Sequence, residues 1–229
     1  MRLYQPRRGY RAAIDPVLLA AAVAAGAGEH VLDLGMGVGA AALCLASRIA
    51  GVRITGLEVQ PELAAIAARN MVSNAVSERV SVVVGDVIAP PAALATGFDH
   101  VMANPPYLPR ERSTDSARDD AAVVEVSGKL GDWVALALAR VRPKGTITFI
   151  HRADRLAELL GVLHPRAGDM VVVPLWPRAG ASAKRVLVRA RAGLRGPLRL
   201  APGLSLHQSD GDYTDAAQDI LRDGATFDF

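Results

Sequence analysis

Asn104-Pro105-Pro106-Tyr107 is the stretch whose residue types point most directly to chemistry. It follows the apolar run Phe98-Asp99-His100-Val101-Met102-Ala103, which reads as a strand. An exocyclic amino nitrogen on adenine, or the amide nitrogen of glutamine, is a poor nucleophile because its lone pair is delocalised. Two acceptors in line with its two hydrogens draw it toward a tetrahedral shape and free that lone pair. The side-chain oxygen of Asn104 and the backbone carbonyl of Pro105 can be those acceptors. The prolines fix φ at about −65° and stiffen the segment. Stiffness matters because a misplaced nitrogen loses its near-attack geometry. Tyr107 can stack on the target ring, an interaction worth about 1–3 kcal/mol per base. Asn104, Pro105 and Tyr107 are therefore the candidate catalytic residues, and Pro106 and Tyr107 candidate substrate contacts. The bland alternative is a proline-rich turn that merely ends a strand.

A second group lies upstream. Asp33-Leu34-Gly35-Met36-Gly37-Val38-Gly39 stands between a strand and a helix. Glycines there allow a tight turn and a close backbone approach to a ligand. Gly35, Gly37 and Ala40 also fit the dinucleotide pattern G-x-G-x-x-G/A, so the loop alone leaves the cofactor open. Glu58, nineteen residues after Gly39, can bind the paired hydroxyls of a ribose, in NAD or in S-adenosylmethionine. Asp86 can accept from an adenine amino group, and dinucleotide dehydrogenases have no counterpart of the proline tetrapeptide. That combination favours S-adenosylmethionine, whose sulfonium is itself the electrophile, so no metal is needed. The expected cofactor-binding set is Asp33, Gly35, Gly37, Gly39, Glu58, Val59, Asp86, Val87 and Asn104. Any one of Asp33, Glu58 and Asp86 could instead simply cap a helix or turn.

These residues need a scaffold that brings strand ends together. Strand-like and helix-like segments alternate, the signature of a parallel sheet covered on both faces. His30 to Leu34, Arg53 to Val59, Val80 to Val84, Phe98 to Ala103 and Thr146 to His151 read as strands. Ala40 to Ala50, Pro61 to about Asn70, Leu130 to Val141 and Ala153 to Leu163 read as helices. Asp169 to Leu175 and Arg185 to Ala190 follow with no helix between them, as a closing antiparallel hairpin. The expectation is a single α/β domain over 1–229, with a Rossmann-like, seven-stranded, mostly parallel sheet and an antiparallel last strand. Residues 1–28 are an extension over the site and 29–229 the core. Asp33, Glu58, Asp86 and Asn104 then fall at the carboxyl ends of successive strands, where open parallel sheets bind ligands.

Composition narrows the class. The chain has 229 residues, 51% apolar and 21% charged, which suits one buried core and not a disordered segment. Its longest apolar run, Val17 to Ala27, is too short to span a bilayer. The lone Cys44 rules out an intramolecular disulfide and fits a reducing cytoplasm; in an apolar helix it reads as a core residue. A net charge of +3 permits nucleic acid without requiring it. The five histidines, His30, His100, His151, His164 and His207, have no metal-ligand spacing.

Motifs along the whole chain resemble the bacterial tRNA1(Val) (adenine-37 N6)-methyltransferase family, a class I S-adenosylmethionine-dependent group. The tetrapeptide and glycine loop are shared by many methyltransferases. Gln5, Gly9-Tyr10-Arg11, Asp15 and Leu18-Leu19-Ala20-Ala21 look like this family's N-terminal signature. His151 to Leu156, Pro174 to Arg178, Lys184 to Val188, and Leu206-His207 through Tyr213-Thr214 look like its later segments. The resemblance implies methyl transfer to N6 of an adenine beside a tRNA anticodon. Such a base is already single-stranded and can be splayed into a pocket. Arg7, Arg8, Arg11 and the Lys184-Arg185 pair are candidate phosphate contacts, against the ordinary reading of solvated charges. Arg11 and Asp15 could instead pair or cover the cofactor, and Tyr10 could line its pocket. One departure bears on the substrate: close relatives tend to carry histidine and glycine after the tetrapeptide, whereas residues 108–126 here are charge-rich.

Rival chemistries share the tetrapeptide. Glutamine N5-methyltransferases acting on proteins usually carry an N-terminal helical domain, and only about thirty residues precede the first strand here. Guanine N2-methyltransferases of rRNA favour phenylalanine as the fourth motif residue. A non-enzymatic cofactor-binding module would not need Asn104 and Tyr107. A small-molecule O-methyltransferase would want a metal cluster or a general base.

Overall fold

The computed structural model describes residues 1–8, 11–106 and 129–227. Nine strands form one sheet: β1 (His30–Leu34), β2 (Arg53–Glu58), β3 (Val80–Val84), β4 (Phe98–Ala103), β5 (Val141–Arg152), β6 (Ala167–Arg178), β7 (Arg185–Ala192), β8 (Arg199–Leu200) and β9 (Leu204–His207). Six described α-helices accompany them: α1 (Asp15–Ala22), α2 (Ala40–Arg48), α3 (Pro61–Ser73), α4 (Leu130–Arg140), α5 (Leu156–Leu163) and α6 (Asp215–Asp223).

The strand order is β3-β2-β1-β4-β5-β7-β6-β8, with β9 also on β6. Strands β1 to β5 pair in parallel, and β7 runs antiparallel to both β5 and β6. This is the Rossmann-like, mostly parallel α/β sheet expected from the alternating segments, with nine described strands in place of the expected seven. The closing hairpin is β6–β7, and two short strands, β8 and β9, extend its edge.

Two apolar layers hold the sheet. Leu19, Leu43, Met71 and Ile220 bring α1, α2, α3 and α6 onto one face. Trp133, Leu159 and Leu163 bring α4 and α5 onto the other. Central strands covered on both sides need near-continuous apolar runs, and β1 and β4 are buried along almost their whole length. Local signals place the helix ends. Pro61 opens α3 at a position where its missing N–H costs nothing. Thr214 caps α6 by accepting from the Ala217 N–H, and Gly224 closes it at φ 74°.

Several boundaries differ from expectation, and two of them have clear physical reasons. Helix α3 continues past Asn70 to Ser73, because the Asn70 side chain is used in tertiary contacts and not as a helix stop. Strand β5 begins at Val141, paired with Phe98, before a register shift that absorbs Pro143 and Lys144, the latter at φ 64°. Proline and glycine in that bulge disguise the start of the strand.

Candidate active site

Strand registry sets the site. Leu34 pairs with Leu57 on one side and with Ala103 on the other. The next residues, Gly35, Glu58 and Asn104, therefore stand in one row at the carboxyl edge. With strands about 4.8 Å apart, Glu58 and Asn104 flank the glycine loop at a separation of about 10 Å. The strand order also reverses between β1 and β4, the crevice where open α/β sheets take their ligands.

The loop between β1 and α2 is built from close backbone contacts. The N–H groups of Gly35 and Met36 both donate to the Leu57 carbonyl, at 2.8 and 3.0 Å. Gly35, Gly37 and Gly39 have φ of 67°, 58° and 84°, values that side chains resist. A Cβ on Gly35 would lie 2.5 Å from the Trp133 ring. The Met36 side chain crosses Gly56 so closely that a Cβ there would strike its Sδ and Cε. Trp133 and Met36 thus fix the loop from either side, and neither stood out in the sequence.

The carboxylates have distinct environments. Glu58 is buried; its Oε2 accepts from the Gly37 N–H at 2.7 Å and its Oε1 from the Gln60 N–H at 2.9 Å. Burial pushes its carboxyl up, and those backbone donors partly offset the rise. A carboxylate has about four lone-pair sites, so these two bonds leave acceptor capacity for a diol. Asp33 is only 3% exposed, and its Oδ2 has no hydrogen-bond partner. Burial, then the nearby Glu58, push its carboxyl up to about 8. The carboxylate accepts from the Ala42 backbone in the first turn of α2, so it serves the helix start, and its second oxygen is left without a donor. Asp86 is half-buried, and its Oδ1 accepts from the Ile88 N–H at 3.0 Å. Val59 is half-buried and Val87 buried beside these two acids.

Pro105 is buried, while Asn104 and Pro106 are half-buried. Tyr107, Tyr10 and the segment 108–126 lie outside the described residues. The N-terminal residues dock beside the loop: Asn70 on α3 donates to the Tyr4 carbonyl at 3.0 Å and to the Val38 carbonyl at 2.9 Å. Beyond Tyr4, the Gln5 side-chain oxygen accepts from the Ala12 N–H at 2.7 Å. Arg7, Arg8 and Arg11 are exposed. Asp15 accepts from Arg185 Nε at 3.0 Å, which ties a candidate phosphate contact to the start of α1. Cys44 sits within α2, half-buried, its thiol pushed up mainly by burial.

A family model described as "Methyltransferase small domain" matches residues 14–126. A tRNA1(Val) (adenine(37)-N6)-methyltransferase from Aeromonas hydrophila is 31% identical over 211 residues, covering 88% of this chain and 84% of the relative. One of the same name from Actinobacillus pleuropneumoniae is 29% identical, covering 91% and 87%. The chain belongs to the tRNA1(Val) (adenine(37)-N6)-methyltransferase family. A release factor glutamine methyltransferase from Chlorobaculum tepidum is 30% identical over 62% of this chain and 52% of its own length. Among solved structures, a predicted O-methyltransferase from Agrobacterium tumefaciens superposes with a TM-score of 0.79 at 28% identity, covering 93% of this chain and 98% of that one.

This methyltransferase uses S-adenosylmethionine, and the residues present fit it. The unpartnered, buried Asp33 Oδ2 suits a cationic donor such as the cofactor's ammonium. The three left-handed glycines leave room for the chain to pass. At the row's other end stand Asn104, half-buried, and Pro105, buried.

Proposed function

We propose that this enzyme transfers a methyl group from S-adenosylmethionine to N6 of an adenine in a tRNA. The observation that carries the reading is the registry of Asn104 with Gly35 and Glu58 at the crevice between β1 and β4. In this reading Asn104 and Pro105 are the nitrogen-activating acceptors, beside a loop suited to the cofactor. The relatives named for tRNA adenine methylation match over 91% and 88% of this chain, against 62% for the glutamine methyltransferase, which supports this target over the glutamine alternative.

In this reading Asp33 holds the cofactor's ammonium, Glu58 its ribose and Asp86 its adenine amino group. Gly35, Gly37 and Gly39 admit it, and Val59 and Val87 flank the adenine ring. When bound, the cofactor supplies an electrophilic methyl carbon on a sulfonium. Asn104 Oδ1 and the Pro105 carbonyl each accept one hydrogen of the target amino group, which orients its lone pair toward that carbon. The methylated nitrogen, cationic and acidic after transfer, gives one amino proton to water. Pro106 and Tyr107 confine the ring, and Arg7, Arg8 and Arg11 meet the flanking phosphates. The same acceptors argue against oxygen as the target, because a hydroxyl needs its proton removed by a base.

Among the described residues no helix is long and apolar enough to cross a membrane. We read the chain as a single catalytic domain working in the cytoplasm, where its tRNA resides. The test is tritiated-methyl labelling of bulk tRNA, rRNA and protein from a strain lacking the gene. Label in tRNA as N6-methyladenosine is the expected result. Label confined to protein would overturn the RNA assignment.

A further inference from the structure

A cavity of about 580 Å³ opens at the opposite, amino edge of the sheet, and among the described residues no helical one lines it. Five cationic side chains do: Arg142 and Lys144 from β5, Arg189 and Arg191 from β7, and Arg199 from β8. Its carboxylates are Asp99 and Asp169. Asp99 is engaged by Arg142 Nε at 2.8 Å and by the His30 N–H at 2.8 Å. Among the lining residues, five cationic side chains face two carboxylates.

Registry explains the concentration of charge. Arg189 lies opposite Thr148 and Val171, and Val171 opposite Arg199. Residues directly opposite share a face of the sheet. Arg191, two residues along from Arg189, shares it too. Three guanidinium groups therefore crowd one face. Burial, then Arg199 and Arg191, hold the Arg189 guanidinium below the usual arginine range. Like charges so arranged repel one another, and a multiply charged anion relieves the repulsion. Guanidinium forks match phosphate oxygens in particular.

The extent of the cluster favours a chain of phosphates over one small anion. From β5 through β7 and β6 to β8 it crosses three strand spacings, about 14 Å. It is separate from the methyl-transfer site: His100 on the cavity wall is four residues, about 13 Å, upstream of Asn104 along β4. An RNA arm whose adenine enters at Asn104 can reach that far with its backbone.

We propose that this cavity is a second RNA contact, holding backbone phosphates of the substrate away from the target nucleotide. The proposal rests on the RNA reading above. The test uses the full chain with Lys144→Ala, Arg191→Ala and Arg199→Ala combined, and with Arg199→Ala alone. All three residues are exposed and outside the catalytic machinery. Binding of purified full-length tRNA is measured across a salt series, with calorimetry for S-adenosylmethionine and inorganic tripolyphosphate as a separate ligand. The triple variant should bind tRNA at least about tenfold more weakly at low salt, with a shallower salt dependence, and Arg199→Ala should fall between it and wild type. KM for tRNA should rise while kcat and cofactor affinity hold. Unchanged tRNA affinity in the triple variant overturns the proposal while leaving the RNA reading intact, since wild type still binds. Loss of tripolyphosphate binding with tRNA binding unaffected also overturns it, in favour of a small-anion site. Failure of the wild type itself to bind any tRNA overturns both.

Discussion

The Asn70 side-chain amide donates to the Val38 carbonyl inside the glycine loop at 2.9 Å. The same fully buried side chain exchanges two further bonds with the backbone of Tyr4, accepting from its N–H at 2.7 Å and donating to its carbonyl at 3.0 Å. One residue on α3 thereby joins the N-terminal segment to the cofactor loop. Asn70→Ala would leave those three backbone groups without their partner. Each unsatisfied buried group costs about 1–3 kcal/mol, reduced here where water can enter beside Tyr4. The expected result is a loss of about 2–4 kcal/mol in a denaturant melt, with early proteolysis of the first residues. A melt indistinguishable from wild type would mean that the clasp contributes nothing.

In the proposed role, Asp33 trades stability for binding. Its carboxyl is raised from an ordinary 3.8 to about 8 in the folded protein, so the native state favours the protonated form. That contribution to stability is complete below about pH 4 and is lost as pH rises through about 8. Without cofactor, Asp33→Asn should therefore melt higher than wild type at pH 8, by several degrees, with little difference at pH 4. Cofactor affinity should move the opposite way, falling at least about tenfold in the variant. Wild-type affinity should climb between pH 6 and pH 8 and then level, while the variant stays flat. Scanning calorimetry and titration calorimetry across this range check both signs.

Glu58 already holds two backbone N–H groups, so its removal has two consequences. Glu58→Ala should lower S-adenosylmethionine affinity well over tenfold through loss of the ribose contact. It should also loosen the Gly37 turn. Glu58→Gln keeps an acceptor for one backbone N–H and should recover part of the melting temperature without recovering the affinity. Titration calorimetry that found Glu58→Ala unchanged would remove the ribose assignment.

The carboxyl edge was legible because each of its strands is a short apolar run that ends on a glycine, an acid or the proline tetrapeptide. Those signals are local. The contacts that lock the edge are not. Asn70 reads as a helix terminator, and only its partners Tyr4 and Val38, distant along the chain, show why the helix passes through it. Asp15 likewise finds Arg185, which lies 170 residues away. The basic cavity escaped notice for the same reason, since Lys144, Arg191 and Arg199 come together only through antiparallel and crossover pairing. Strand β8, two residues long, has no periodicity to read.

The Met36 and Gly56 pair gives a packing test. An alanine at Gly56 would place its Cβ on the Met36 thioether, so the loop or the side chain must move. Overpacking of this kind costs about 1–3 kcal/mol. Gly56→Ala should destabilise by that amount and weaken cofactor binding, and adding Met36→Ala should restore much of the loss. A double-mutant cycle with no coupling would contradict the contact.

The central claim is that Asn104 activates the target nitrogen while Asp33, Glu58 and Asp86 carry most of the cofactor binding. It is tested most directly by single-turnover methylation of purified tRNA with saturating S-adenosylmethionine, comparing wild type with Asn104→Ala. We expect cofactor affinity within about threefold of wild type and N6-methyladenosine formation slowed by at least about 10³, equivalent to roughly 4 kcal/mol of transition-state stabilisation. Turnover like that of wild type in the variant would contradict the account.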